Sequence, residues 1–302
     1  MTTDGRRPDL LVVGSVAFDS IETPTGSVEE ALGGSATFAS IAASYFARPG
    51  VVAVVGEDFG VEPRGLMERR GIDLSGIETV VGGKTFHWRG RYHDNMKDRV
   101  TIETCLNVFA DFDPVLSPTH KKSSNVFLGN IGPLLQASVL DQVSAARFVG
   151  LDTMNLWISE SPEDLKEVLR RVDVFFLNDD EAFQLSGETQ LLNAARAVLA
   201  LGPRYVVIKR GEYGALLFGD ELCLFVPAVL LPGVVDPTGA GDAFAGGFMG
   251  FMAGAKDMSR STLASALRAG TTMASFACEA FSVERLVNVD RSEIERRIAL
   301  LE

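Results

Sequence analysis

The stretch from Val234 to Phe248 constrains this chain more than any other. An apolar arm, Val229, Leu230 and Leu231 and then Val234 and Val235, runs into a turn built from Pro237, Thr238, Gly239 and Gly241. Small residues mixed with Phe244, Phe248, Met249 and Phe251 follow from Ala243 to Gly254 and predict a packed helix. A glycine-rich loop feeding a helix start presents unpaired N–H groups and the positive end of the helix dipole, which together seat an anion. Glycines let the backbone approach that anion with no Cβ in the way. Asp242 lies inside the same seat. Alone, an aspartate at a helix start is most often a cap. As a functional residue it would be a base held beside a phosphate site.

The bulk properties narrow the field. A chain of 302 residues holds one large α/β domain or two smaller ones. With 46% hydrophobic and 23% charged residues it has the makings of a packed globular core. A net charge of −12 argues against a nucleic-acid surface, and it requires that any polyanionic substrate be met by local positive features. Cys105, Cys223 and Cys278 are an odd set without close spacing, so neither a disulfide framework nor a zinc motif is expected and a reducing compartment is. Met1–Asp9 is short and polar, and no apolar run approaches the ~18–20 residues of a membrane span. The expectation is a cytoplasmic protein with no membrane or nucleic-acid partner.

Along the chain, short β-branched runs alternate with helical stretches. Leu10 to Ser15, Val51 to Val55, Val126 to Leu128, Phe148 to Leu151, Val174 to Leu177 and Tyr205 to Ile208 read as buried strands. Helices are expected over 35–46, 62–70, 134–143, 163–171 (capped by Ser161), 179–186, 191–201, 261–280 and 291–301. That rhythm is the mark of a parallel sheet covered on both faces. Residues 80–104 break it: Phe86, Trp88 and Tyr92 share one parity, Val100, Ile102 and Thr104 repeat the period of two, and the polar Asp94–Arg99 turn lies between them. This predicts a hairpin with an aromatic face. A second hairpin is expected around Gly219-Asp220.

The string Asp236-Pro237-Thr238-Gly239-Ala240-Gly241-Asp242 closely resembles the C-terminal signature of the PfkB (ribokinase-like) family of sugar and nucleoside kinases. The resemblance covers nearly the whole chain. It implies a ribokinase-like α/β fold: a three-layer αβα sandwich with a central, mostly parallel sheet, in one kinase domain over 1–302. A small β-sheet lid would come from about residues 16–30 and 80–104. It also implies a set of roles. Asp19, after Gly14-Ser15, would hold substrate hydroxyls, as a carboxylate accepting charge-assisted bonds does well. Gly33-Gly34 would let the backbone approach the substrate and the lid move. Asn178 and Glu181 match the family's Asn-x-x-Glu pattern, with Glu181 ordering water on Mg2+ and a capping pair as the plainer use. Lys209, Gly211, Gly214 and Thr238 would lie on the nucleotide side, although a solvated basic turn fits Lys209 as well. Phe38 departs from the pattern, standing where many sugar kinases of the family carry an asparagine.

The implied activity is ATP-dependent transfer of the γ-phosphoryl group to a primary hydroxyl. Asp242 would be the base, and the amides of Gly239, Ala240 and Gly241 would stabilise the transferring group. ATP and Mg2+ are the implied cofactors, with room for a monovalent cation such as K+. A nucleoside is favoured over a sugar because Phe38 replaces an amide and the lid offers Phe86, His87, Trp88 and Tyr92 to stack on a base. The ordinary use of those aromatics is packing, within the lid or against a second subunit's lid in a homodimer. The alternative function is a non-catalytic nucleoside- or sugar-sensing module. Two other phosphate motifs are missing: no Gly-x-Gly-x-x-Gly follows the first strand, and Gly241-Asp242 stands where a Walker A motif needs Gly-Lys. His87, His93 and His120 are too scattered to suggest a metal trio.

Overall fold

Leu10, Leu11, Val12 and Val13 are all fully buried, so the first strand must be covered on both faces. Alternation sends Leu10 and Val12 into one apolar cluster and Leu11 and Val13 into another. The computed structural model describes residues 7–302, and the first six residues of the polar Met1–Asp9 segment lie outside them.

The chain begins β1 (Leu10–Val13), β2 (Ala17–Thr23), β3 (Gly26–Gly33), α1 (Ser35–Ala43), β4 (Pro49–Gly56), α2 (Val61–Arg69), β5 (Asp73–Val80), β6 (Phe86–Tyr92) and β7 (Arg99–Cys105). It continues through β8 (Asn125–Leu128), α3 (Pro133–Gln142), β9 (Phe148–Asp152), α4 (Asn155–Glu160), α5 (Pro162–Leu169), β10 (Val174–Asn178), α6 (Asp179–Ser186), α7 (Leu191–Leu199), β11 (Tyr205–Lys209), β12 (Ala215–Gly219) and β13 (Leu222–Val226). It closes with α8 (Ala240–Gly254), α9 (Arg260–Ala277), α10 (Glu284–Val287) and α11 (Arg291–Ala299).

Nine strands form one sheet in the order β13-β12-β11-β10-β9-β8-β1-β4-β5. From β11 to β5 every neighbour is parallel, and the β12–β13 hairpin adds the antiparallel edge. Helices α1, α8 and α9 pack with the cluster on one face, and α3, α5 and α7 with the cluster on the other, which makes the expected three layers. None of the helices among the described residues is long and apolar enough to cross a membrane. The sequence reading passes over β5, α4 and α10. It also assigns Ser161 as a cap, yet its side chain makes no capping bond at the start of α5.

A second sheet, in the order β3-β2-β6-β7, is the lid. It spans 17–33 and 86–105 rather than 16–30 and 80–104, because residues up to Val80 still pair with β4 in the large sheet. Polar ties hold the lid down on that sheet. Thr25 Oγ1 donates to the Val235 carbonyl at 3.0 Å, Thr238 Oγ1 to the Tyr92 hydroxyl at 3.1 Å, and Lys97 Nζ lies 3.0 Å from the Asp180 carboxylate. The lid hairpin therefore lands on the signature loop and on the start of α6.

Close packing under that loop rests on glycine. A Cβ on Gly246 of α8 would overlap the backbone of Ala39 in α1, and one on Gly250 would lie 2.8 Å from the Ala43 Cα. Gly246→Ala is expected to lower the unfolding free energy by about 1–3 kcal/mol, the usual cost of overpacking. A urea titration reads this as a lower midpoint, and an unchanged midpoint would mean that the two helices can part freely.

Candidate active site

Asp236 shapes the signature loop from below. It is 0% exposed; its Oδ1 accepts the Thr238 N–H at 2.8 Å and its Oδ2 the Ser282 N–H at 3.3 Å. Gly239 is the residue before α8 and takes φ +74°, a left-handed conformation that suits glycine. A Cβ there would also overlap the ring of Phe38. Phe38 is buried beneath the loop as its support, so its replacement of an asparagine carries no direct message about the substrate. The Ala240 N–H donates to the Pro237 carbonyl at 3.2 Å and closes the turn. Of the three amides expected to face an anion, those of Gly239 and Gly241 have no protein acceptor among the described residues.

Asp242 is the third residue of α8, not its cap, and it is partly exposed. Burial raises its carboxyl to about 7, with the Asp152 charge acting in the same direction and Lys209 and Arg99 against it. Asp19 lies on β2, 6% exposed. Burial lifts it to about 7, and the charges of Asp236 and Asp242 push the same way. The Asp242 charge thus reaches Asp19. The diglycine makes that possible. A Cβ on Gly33 would overlap the Asp19 carboxylate, while the backbone of Gly34, at φ +93°, pulls that carboxyl back down.

At the start of α6, Asn178 and Glu181 form a reciprocal capping box. The Glu181 N–H donates to Asn178 Oδ1 at 2.8 Å, and the Asn178 N–H to Glu181 Oε2 at 2.7 Å. Burial still raises the Glu181 carboxyl to about 7, against the pull of Lys209. Lys209, at the end of β11, has a side chain 17% exposed and lies 2.8 Å from Asp152 Oδ2. Burial works against its charge, but Asp152 and Glu181 outweigh it and hold the ammonium ionised. A Cβ on Gly241 would come 3.1 Å from its Nζ, so this charge lies beneath the signature turn and is not a solvated basic turn. Gly211 takes φ +54° in open space, whereas a Cβ on Gly214 would overlap the Val226 carbonyl. Gly214 therefore seats the end of β13.

Two contributors, Asp152 and Arg99, escape the sequence reading, and a third, Tyr92, was expected to stack on a base and instead ties the lid to the signature loop. Asp152 ends β9 as the partner of Lys209. Tyr92 is bonded to Thr238. Arg99, at the start of β7, pairs across the hairpin with Tyr92 and lies 5.8 Å from the Trp88 ring. From there its charge opposes the upward shifts of Asp19, Asp242 and Glu181. The signal was the hairpin itself: the residue opposite a buried aromatic on the Asp19 side of the lid lies on that side too.

Of the lid residues expected to stack on a base, Phe86 is stacked on Phe109 at 5.4 Å, and Tyr92 is buried. His87 lies one residue from Trp88 and on the opposite face of the lid. Trp88 registers with Asp19 across the β2–β6 pair and stays partly exposed. A Cβ on Gly90 would overlap its indole, so the ring lies flat along the strand.

A family model described as pfkB family carbohydrate kinase matches residues 7–287. The cytidine kinase of Thermococcus kodakarensis is 32% identical over 247 residues, which is 80% of this chain and 87% of that protein. The solved structure of the Methanocaldococcus jannaschii nucleoside kinase, described as an archaeal member of the ribokinase family, has a TM-score of 0.77. It shares 17% identity and covers 98% of this chain and 99% of its own. A putative ribokinase II from E. coli, solved with ATP and Mg2+, has a TM-score of 0.78 at 19% identity over 96% of this chain and 99% of its own. The last two share the fold with this chain.

The raised carboxyls carry a stability cost of definite sign. Between the ordinary value of 3.8 and about 7, folded Asp19 holds a proton that the unfolded chain has lost, so its burial costs most above pH 7. In ligand-free protein, Asp19→Asn is expected to raise the unfolding free energy by roughly 1–4 kcal/mol at about pH 8, at 1.36 kcal/mol per pKa unit. The gain should vanish toward about pH 4. Chemical denaturation at the two pH values measures it, and a variant less stable than wild type at the higher pH contradicts the assignment.

Proposed function

The chain belongs to the pfkB family of carbohydrate kinases, and on that premise we propose that it transfers the γ-phosphoryl group of ATP to a primary hydroxyl of a nucleoside. The observation that carries this reading is the placement of Asp242 in the first turn of α8, near enough to Asp19 on β2 for its charge to raise that carboxyl. We take residues 1–302 as one kinase domain of a cytoplasmic protein.

Asp242 would accept or orient the proton of the attacking hydroxyl, and a carboxyl near 7 is well matched to that task at neutral pH. Asp19 would fix the other hydroxyls of the acceptor. The free amides of Gly239 and Gly241, with the α8 dipole behind them, would stabilise the charge on the transferring group. One such donor is typically worth roughly 2.7–4 kcal/mol. Lys209 beneath the turn and Arg99 above it supply the positive charge that the chain's overall −12 withholds. Positioning and charge stabilisation are most of what phosphoryl transfer needs. The nucleotide would lie along Gly211, Gly214 and Thr238. Its phosphates would face α6, where the donor set is all oxygen and so fits Mg2+. Glu181 spends Oε2 on its cap and would order metal-bound water with the other oxygen; the ion supplies charge neutralisation on the phosphates. The lid, tied at Tyr92 and Lys97, would keep bulk water from the reacting group.

The nucleoside preference rests on Trp88, a flat ring beside the carboxylate assigned to the sugar hydroxyls. A homodimer through the lids would cover Val100 and Ile102, 51% and 46% exposed.

Incubation with Mg-ATP and a panel of nucleosides, pentoses and hexoses, in potassium and in sodium salts, with ADP followed, tests the reading. Nucleosides are expected to be turned over best. Asp242→Asn is expected to keep nucleoside binding while turnover falls by about 10²–10⁴; normal turnover would remove Asp242 as the base. Trp88→Leu is expected to raise KM for nucleosides by roughly 5- to 150-fold, the worth of one base stacked on an aromatic ring. Ribose phosphorylation should not change, and an equal loss on both acceptors would overturn the role given to Trp88.

A further inference from the structure

On the lid face turned away from Asp19, three side chains meet that phosphoryl transfer does not use. The β6–β7 register sets His87 opposite Cys105 and Arg89 opposite Glu103, so His87, Glu103 and Cys105 share that face. Their ligand atoms all lie within 4.8 Å of one another. The Glu103 side chain has no hydrogen bond or ion pair among the described residues, and Arg89, its neighbour across the strands, is turned to Glu29 at 2.5 Å. His87 is oriented by Ser20, whose Oγ lies 3.0 Å from the imidazole Nε2. That hydroxyl also accepts the Glu30 N–H at 3.1 Å. Nε2 is thus engaged by Ser20, and Nδ1, which has no hydrogen bond among the described residues, is the ring nitrogen left for a cation.

We propose that His87, Glu103 and Cys105 form a binding site for a transition-metal dication, with zinc as the best fit. One imidazole, one carboxylate and one thiolate are the donors a tetrahedral zinc ion takes, with water as the fourth. Cys105 binds as the thiolate and its proton leaves to solvent. Ser20 holds the imidazole from behind, as groups bonded to the second nitrogen of a metal-binding histidine do. The ion links β6 to β7 across the ribbon that carries Trp88 and Arg99 on its other face. The site is thus separate from the Mg2+ region at α6, and it stands whether or not the acceptor is a nucleoside.

Cobalt(II) reports on such a site directly. Titration of the wild-type protein is expected to develop a near-ultraviolet thiolate-to-cobalt band and the visible bands of a tetrahedral ion, saturating at one equivalent per chain and abolished by added zinc. Cys223→Ser should keep these bands, while Cys105→Ser and His87→Ala should lose them. Ser20→Ala should weaken binding about 10–100-fold. Zinc should raise the thermal midpoint of the wild type and not of Cys105→Ser. Cys105→Ser should retain Mg-ATP-dependent turnover, which shows that the variant is folded. The absence of a charge-transfer band in wild type, or its survival in Cys105→Ser, overturns the site.

Discussion

Asp19, Asp152, Asp236, Asp242 and Glu181 converge at the carboxyl edge of the large sheet, and burial raises the titration of every one of them. Charges of one sign do not gather in a poorly solvated recess without compensation. Here each carboxylate has its own compensation. Asp236 accepts two loop amides, Glu181 the Asn178 amide and Asp152 the Lys209 ammonium, while the Gly34 backbone moderates Asp19, and Lys209 and Arg99 moderate Asp242. The rest of the architecture can be understood as what holds those partners in place. The parallel strands end together, and the lid brings Arg99 to the group from the other side.

The same crowding explains how an acidic protein receives a polyanion. The net charge of −12 repels ATP at long range, so reception depends on short-range features. These are the exposed amides at Gly239 and Gly241, the α8 dipole, and two cations placed below and above the turn. Glycine lets these features come close. Gly33 leaves room for the Asp19 carboxylate, Gly239 allows the left-handed turn over Phe38, and Gly246 allows α8 to lie against α1.

Much of the fold was legible in the sequence, because strands buried on both faces read as unbroken apolar runs: Leu10–Val13 and Val174–Leu177 could hardly be anything else. Two of the edge strands were not. β5, with Asp73, Ser75, Glu78 and Thr79, and β3, with Ser27, Glu29 and Glu30, carry weak patterns because one or both faces meet water. In the site, Asp19, Glu181 and Asp242 stood out through motif and order along the chain. Asp152 and Arg99 did not, since their importance arises from tertiary neighbours 57 residues away in one case and from the far side of a hairpin in the other. Phe38 shows the opposite limit: its identity was plain and its role misleading, because the ring packs under Gly239 instead of facing an acceptor.

At its centre the account holds that one turn receives the migrating phosphoryl group while Asp242 receives the acceptor's alcohol. A crystal structure with a nucleoside and a non-hydrolysable ATP analogue tests this most directly. The account predicts the primary hydroxyl within about 2.6–3.2 Å of the Asp242 carboxylate, with the terminal phosphate against the Gly239 and Gly241 amides. A nucleoside whose primary hydroxyl points away from Asp242, or a terminal phosphate seated elsewhere, would contradict it.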